Sequence, residues 1–258
     1  MIRNIRSRMI PSLYVDLNGT ITDDEHVHEA ILRHLMSDLW GLELTPEEYA
    51  KYFQGTPSAI EVVRRFTADK YNGIQLADDQ IMELISIGNE LYGICLNQGS
   101  VKLREGFIDF FERFKEWQPA SRTALVTSES RTNVENLKAV LGIPDFDVIV
   151  SIDDVSKPKP NKQPYTRAGN LLGTSPEYGI ALEDSVIGVT SSSYAGCLTL
   201  GIYDGKNELL ARALMNAGAK IVTTFEDLTI EMLGELYGTH IDSLDAGRSL
   251  KRDFSKPF

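Results

Sequence analysis

The sequence predicts an α/β fold in which a core built on a parallel sheet is interrupted by an inserted all-helical domain. One observation is a series of short apolar runs that alternate with segments of helical periodicity, an order typical of parallel strands joined by helices. The other is a stretch in which helical patterns follow one another without a strand pattern. We therefore expect a core at residues 11–23 and 99–236, a helical insert at 24–98, and terminal extensions at 1–10 and 237–258.

The core elements are predicted from apolar runs and from the residues that end them. Residues 12–16 form such a run, which ends in the carboxylate of Asp16 and is followed by the turn-forming pair Asn18-Gly19. Four phenylalanines after Gly106 are spaced along one helix face, and we expect this stripe in the core. The residues from Thr239 onward are polar, and no element is predicted there. Further strands are predicted at 124–126, 148–150, 179–182, 198–202 and 220–223, and helices at 134–141, 164–172, 209–215 and 226–236.

The helical pattern of the insert starts at Glu25, from which apolar residues recur every four positions as on one face of a helix. Thr45, Pro46 and Glu48 have the pattern of a capping box with proline in the first turn, which predicts the start of a second helix. Apolar residues at helical spacing around 60–66 and 81–91 predict two more. We therefore interpret the whole insert as helical.

Composition and charge exclude several classes of function. With 42% hydrophobic and 24% charged residues, the chain has the composition of an ordinary soluble globular protein. Its formal net charge of −11 argues against binding to nucleic acid, whose phosphates repel an acidic surface. No apolar run approaches the roughly 18 residues that a membrane span requires, so we expect no membrane partner and a cytoplasmic location. The sequence does not indicate an oligomeric state.

Polar residues follow three of the predicted strands directly. They are Asp16, Thr127 and the pair Glu183-Asp184. Because ligands bind beyond the carboxyl ends of parallel strands, we expect these side chains to meet at one edge of the sheet. Each has an ordinary explanation when taken alone, as a turn former, a strand residue or a helix cap. Their joint occurrence after three strands of one predicted sheet favours a functional site.

Four short motifs occur in an order that resembles the haloacid dehalogenase superfamily. Residues 16–20, Asp-Leu-Asn-Gly-Thr, resemble its first motif, Asp-x-Asp-Gly-Thr, and Thr127 resembles the Ser or Thr of the second. Lys157 followed by proline resembles the third motif, and Glu183-Asp184 the acidic fourth. The resemblance covers about residues 12–236. It implies a Rossmann-like parallel sheet core with an alpha-helical cap, as in phosphatases similar to β-phosphoglucomutase.

The resemblance also implies a reaction, a cofactor and a set of site residues. Asp16 would attack the phosphorus of a small phosphorylated metabolite and form an aspartyl phosphate, which divides one difficult displacement into two easier steps. Mg²⁺ would reduce the repulsion between the two anions and would take hard oxygen ligands. Phosphoryl oxygens would be bound by Thr127, Ser128 and Lys157. The implied metal ligands are Asp16, the backbone carbonyl of Asn18, Glu183 and Asp184.

Position 18 departs from the family's pattern. The pattern has an aspartate there, which acts as general acid and then as general base, and the amide of Asn18 can do neither. General acid–base catalysis contributes about 10² to 10⁴ in rate. Two explanations stay open: an engineered replacement that traps a bound state, or a natural enzyme that is slow or uses another base such as His28. For His26 and His28, a surface or hinge position is the ordinary interpretation.

Three other functions stay open on the sequence alone. A sugar phosphomutase is disfavoured, because Ser58 stands where mutase-like relatives carry an arginine and the next arginine is Arg64. Hydrolysis of a carbon–halogen or carbon–phosphorus bond is found in members of the superfamily that differ at position 18. A sensor of phosphorylated metabolites, silenced by Asn18, is the non-catalytic alternative.

Overall fold

The computed structural model describes residues 10–53, 59–71 and 76–253. Its main sheet has six parallel strands, and the spatial order from one edge to the other is β5, β4, β1, β6, β7, β8. The strands of this sheet are β1 (Ser12–Val15), β4 (Thr123–Val126), β5 (Val148–Val150), β6 (Gly179–Glu183), β7 (Leu198–Ile202) and β8 (Val222–Thr223). The predicted α/β class with a parallel sheet is therefore confirmed.

Two very short strands form a separate antiparallel pair where the chain leaves the core and returns to it. They are β2 (Thr22–Asp23) and β3 (Lys102–Leu103). Between them, the described residues form helices and no strand. These helices are α1 (Glu25–Trp40), α2 (Pro46–Tyr52), α3 (Ala59–Lys70) and α4 (Asp78–Asn97). They enclose a small apolar core of their own, with Met36 and Phe66 fully buried.

The remaining helices cover the two faces of the main sheet. They are α5 (Phe107–Trp117), α6 (Arg131–Leu141), α7 (Gln163–Leu172), α8 (Val186–Tyr194), α9 (Glu208–Ala217) and α10 (Ile230–Asp253). Along β1 the side chains alternate between two apolar clusters: Leu13 and Val15 lie in one, and Tyr14 lies in the other. Burial on both faces is typical of parallel sheets. None of the described helices is long and apolar enough to span a bilayer.

Local signals in the sequence located several helix ends. Thr45 and Glu48 form both hydrogen bonds of the capping box at the start of α2. Gly142 ends α6 in the left-handed conformation, with φ 66°. The phenylalanine stripe of α5 is buried, with Phe107 and Phe110 in contact with Phe225. These predictions are confirmed.

The prediction that no element follows Thr239 is wrong, because α10 continues to Asp253. Leu233, Tyr237 and Ile241 are spaced by four residues and are buried in the main core cluster. Tyr237 and Ile241 therefore belong to the packed core. The sequence predicted a helix at 226–236, but its continuation was missed because polar residues such as Thr239, Asp242 and Ser243 dilute the apolar spacing beyond Tyr237. Residues 1–9, 254–258 and Ser58 lie outside the described residues.

Candidate active site

The site lies where the strand order of the main sheet reverses direction. From β1 the chain passes to β4 and β5 on one side, and then to β6 on the other side of β1. Such a switch point is where α/β sheets bind ligands. Val15 pairs with Leu182, and the Asp16 amide donates to the Leu182 carbonyl at 3.1 Å. This register places Asp16 beside Glu183 and Asp184.

Three carboxylates and one lysine meet at this switch point, and we call them the strand-end cluster. Asp16, Glu183 and Asp184 each offer a carboxylate oxygen within 4.8 Å of the others. The ammonium nitrogen of Lys159 lies 2.6 Å from Asp16 Oδ1 and 2.6 Å from Glu183 Oε1. It also donates to the Val126 carbonyl at 3.0 Å. Lys159 is therefore fixed by three acceptors at the ends of three strands.

The lysine in this cluster is not the one that the sequence predicted. Lys157 lies on an exposed loop, and its backbone amide donates to Gln163 Oε1 at 2.6 Å. The position predicted for Lys157 is therefore wrong, and Lys159 occupies it. Both lysines precede a proline, so the motif fits either of them. The two lysines are also two residues apart, and in an extended segment such residues point to the same side. Only the path of the loop therefore decides which lysine reaches Asp16.

Thr127 and Ser128 border a cavity of about 200 Å³ together with Asp16 and Lys159. Thr127 is buried at the end of β4, and its hydroxyl oxygen accepts a hydrogen bond from the Glu129 amide at 3.1 Å. That bond leaves the hydroxyl proton free to be donated into the cavity. Ser128 is exposed. A group with several oxygens, bound next to Asp16, would find hydroxyl donors and an ammonium group around it.

Two glycines allow the carboxylates to come this close. Gly19 has φ 75°, and a Cβ there would lie 1.8 Å from Asp184 Oδ2. At Gly188 a Cβ would lie 1.7 Å from Glu183 Oε2. Any larger residue at either position would displace a carboxylate of the strand-end cluster.

The charges of the strand-end cluster do not balance. With all three carboxylates ionised, as metal binding requires, they carry −3 and Lys159 carries +1, which leaves −2. Burial raises the pKa of Asp16, although Lys159 opposes the effect, and it raises the pKa of Glu183 to about 7. Burial, together with Asp16 and Glu183, raises the pKa of Asp184 well above its usual range. A divalent cation would supply the missing charge.

The donor atoms also suit such a cation. Glu183 Oε1 binds Lys159 and the Tyr165 hydroxyl, whereas Oε2 is buried with no hydrogen-bond partner among the described residues. Buried carboxylate oxygens without donors are costly unless a cation binds them. Mg²⁺ prefers hard oxygen ligands of this kind. Asp16, Glu183 and Asp184 therefore fit a magnesium ion by charge and by chemistry.

A second group of residues, which we call the Asp24 cluster, adjoins the first. Asp24 is fully buried, and one of its oxygens, Oδ2, accepts from Asn18 Nδ2 at 2.8 Å and from the Tyr92 hydroxyl at 2.6 Å. Its other oxygen accepts from the Gly19 amide at 3.0 Å. Burial opposes ionisation, but the electrostatic interaction with His28 and the hydrogen bond from Tyr92 outweigh it and lower the pKa of Asp24 to about 2.

His28 connects the Asp24 cluster to the cavity. Its ring stacks on Tyr92, with centroids 4.5 Å apart and an angle of 10° between the planes. Its Nε2 lies 3.6 Å from Asp24 Oδ2, an ion-pair distance that is slightly too long for a hydrogen bond. His28 lines the same cavity as Asp16 and Asn18, whereas His26 is exposed.

Sequence reasoning missed Asp24, Tyr92, Tyr165 and Lys159. One signal was available for Asp24, since it stands four residues before His28 at the start of a helix, a spacing that brings side chains together. Tyr92 is 68 residues from Asp24 in the chain, and no local pattern points to that contact. Two further residues of the insert that line the cavity are Glu25 and Tyr49.

Comparisons with known proteins identify a family and several related chains. A sequence model of the family described as haloacid dehalogenase-like hydrolase matches residues 14–202. Protein CbbY of Cereibacter sphaeroides is 29% identical over 195 residues, which cover 73% of this chain and 82% of CbbY. Validoxylamine A 7'-phosphate phosphatase of Streptomyces hygroscopicus subsp. limoneus is 33% identical over 196 residues, which cover 72% of this chain and 83% of that protein.

Solved structures share the fold as well. A crystal structure of a CbbY mutant from Rhodobacter sphaeroides, in complex with xylulose-(1,5)bisphosphate, superposes with a TM-score of 0.70 and 27% sequence identity. The superposition covers 85% of this chain and 96% of that one.

Proposed function

The chain belongs to the haloacid dehalogenase-like hydrolase family, and we propose that it is a magnesium-dependent phosphatase of small phosphorylated metabolites. The observation that carries this proposal is the strand-end cluster, in which Asp16 faces a small cavity between Lys159 and Thr127. The class of metabolite is supported by two relatives: one is named as a phosphatase of a phosphate ester, and the other was solved with a sugar bisphosphate bound.

Asp16 is the nucleophile in the proposed reaction. A carboxylate that attacks phosphorus forms an acyl phosphate, and the ester oxygen departs with its carbon skeleton. In this proposal Lys159 and Thr127 hold the phosphoryl oxygens, Lys159 by its charge and Thr127 by a hydrogen bond from its hydroxyl group. Fixed donors of this kind act most strongly on the charge that develops in the transition state.

Asp16, Glu183, Asp184 and the carbonyl of Asn18 would hold the magnesium ion. When bound, Mg²⁺ neutralises the excess of negative charge and reduces the repulsion between Asp16 and the phosphate. The role of Lys159 is then to keep Asp16 ionised and aligned. This follows from its 2.6 Å contact with Asp16 Oδ1.

A panel of phosphate esters tests the proposal. Sugar phosphates, polyol phosphates, a ketose bisphosphate and p-nitrophenyl phosphate would be incubated with the full chain and Mg²⁺, and inorganic phosphate measured. We expect phosphate release from at least one ester, and a covalent phosphoenzyme mapped to Asp16. Isomerisation of a sugar phosphate that needs a bisphosphate activator would instead indicate a mutase. Tight binding of an ester and Mg²⁺ without any covalent step would indicate a sensor.

A further inference from the structure

We propose that His28, anchored by Asp24, carries the proton that an aspartate at position 18 would carry in the family's pattern. This inference rests on the proposed phosphatase function. It concerns how a chain with Asn18 completes both steps of the reaction. Two of the residues involved, Asn18 and His28, line the same cavity as Asp16.

Asn18 is not available as a proton carrier, and the structure shows what its side chain does instead. Its Nδ2 donates to Asp24 Oδ2 at 2.8 Å, so the amide is held by a buried anion. An aspartate in its place would bring two carboxylates to that distance with no proton between them. The carboxylate at 24 and the amide at 18 therefore form a matched pair.

Asp24 itself does not reach the cavity. Its side chain is fully buried, and both of its oxygens accept hydrogen bonds from Asn18, Gly19 and Tyr92. A carboxylate surrounded by donors stays ionised and is a poor proton carrier. It can, however, stabilise a positive charge on a neighbouring imidazole.

His28 has the position and the surroundings for this task. It lies on α1, with Asp24 on one edge of its ring and Tyr92 stacked on its face. Burial disfavours the charged ring, but Asp24, Glu25 and Glu129 outweigh burial and raise the pKa of His28. Tyr49 of α2 also lines the cavity. A small movement of α1 would shorten the 3.6 Å contact with Asp24 to a hydrogen bond, as catalytic contacts often tighten when substrate binds.

The two steps balance as follows. In the first, a bond forms between an Asp16 oxygen and phosphorus, the bond from phosphorus to the ester oxygen breaks, and imidazolium His28 gives its proton to that oxygen. The alcohol leaves. In the second, water attacks phosphorus and gives a proton to the neutral imidazole, and the bond from phosphorus to Asp16 breaks. Inorganic phosphate leaves, and His28 is charged again.

The leaving group separates this role from a structural one. A nitrophenolate departs without a proton, whereas an alkoxide does not, so His28→Gln should lower turnover of the best alkyl phosphate by about 10²-fold or more. With p-nitrophenyl phosphate the same variant should still form the phosphoenzyme, and then hydrolyse it slowly. His26→Gln, on the exposed neighbour, is the matched control and should behave as the wild type.

The pH profiles provide a second readout. The first step needs charged His28, so turnover of an alkyl phosphate should fall as the pH rises through the pKa of His28. The second step needs neutral His28, so turnover of p-nitrophenyl phosphate should fall as the pH drops through it. His28→Gln should show neither of these two pH-dependent declines in turnover.

A rescue experiment completes the test. The exchange Asn18→Asp/Asp24→Asn keeps size and net charge while it moves the carboxylate to position 18. In the His28→Gln background we expect it to recover alkyl phosphate turnover at least about tenfold. Alkyl turnover by His28→Gln within twofold of the wild type, or equal loss of phosphoenzyme formation with both leaving groups, would overturn the inference alone. A wild type that forms no phosphoenzyme with any ester would overturn the proposed function, and this inference with it.

Discussion

The strand-end cluster and the Asp24 cluster both bury carboxylates, yet their charges are compensated in opposite ways. In the strand-end cluster Lys159 is the one cation among three carboxylates and contacts two of them, and burial raises the pKa of each carboxyl group. In the Asp24 cluster a single carboxylate is surrounded by donors, and its pKa falls to about 2. The comparison shows that burial alone does not set the state of a carboxylate. A buried carboxylate whose oxygens accept enough hydrogen bonds is stable in its ionised form, whereas one with too few donors needs a cation.

The largest expected effect is the loss of the nucleophile from the strand-end cluster. Asp16→Asn keeps the size of the side chain but removes the attacking oxygen anion, so turnover should fall by about 10⁴-fold or more. Phosphate release and intact-protein mass after rapid quench measure both consequences. Asp23→Asn changes an exposed carboxylate seven residues away and is the control. A phosphoenzyme that still forms in Asp16→Asn would contradict the assignment.

The next largest effect separates the two lysines. Lys159→Met leaves Asp16 and Glu183 without their cation, and turnover should fall by about 10² to 10³, the range seen when one fixed donor is removed from a transition state. Lys157→Met changes an exposed side chain and should alter turnover by less than about twofold. Steady-state phosphate release compares the pair. A larger loss of turnover in Lys157→Met than in Lys159→Met would mean that Lys157 is the site lysine, as the sequence predicted.

Magnesium should distinguish the two clusters without any measurement of activity. A ligand that binds only the folded state stabilises it by about 2.7 kcal/mol when its concentration is one hundred times its Kd. We expect the thermal midpoint of the wild type to rise with Mg²⁺, and Asp184→Asn to lose most of that rise. Asp24→Asn should keep it, because the Asp24 cluster needs no cation. If Mg²⁺ does not change the thermal midpoint of the wild type, the proposed metal site is wrong.

The smallest effect concerns the tyrosine that contacts Glu183. Tyr165→Phe removes one donor to Glu183 Oε1 but leaves Lys159 on the same oxygen. The free energy of unfolding should fall by about 1 kcal/mol, the typical net value of one hydrogen bond. Urea titration measures it, and Tyr203→Phe, in the loop that directly follows β7, serves as a comparison. A fall in the free energy of unfolding of more than about 3 kcal/mol would mean that the tyrosine is a main support of the cluster.

Parts of the site that depend on local pattern could be predicted from the sequence. Asp16, Thr127 and Glu183-Asp184 each follow an apolar run, and parallel strands bring their carboxyl ends to one edge. The same logic located the phenylalanine stripe of α5 and the capping box of α2. Each of these signals lies within a few residues of the chain, where periodicity and turn chemistry act directly.

Other features were decided only by the tertiary structure. The choice between Lys157 and Lys159 depends on the path of one loop, and the motif fits both lysines equally. The contact between Asp24 and Tyr92 joins residues that are 68 positions apart in the chain. The sequence alone thus determined the fold class, the order of the motifs and the absence of the acid–base aspartate at position 18. Only the folded structure shows that donors from distant parts of the chain meet at one buried oxygen. Such contacts arise when helices and strands pack together, and they produce no periodic pattern in the sequence.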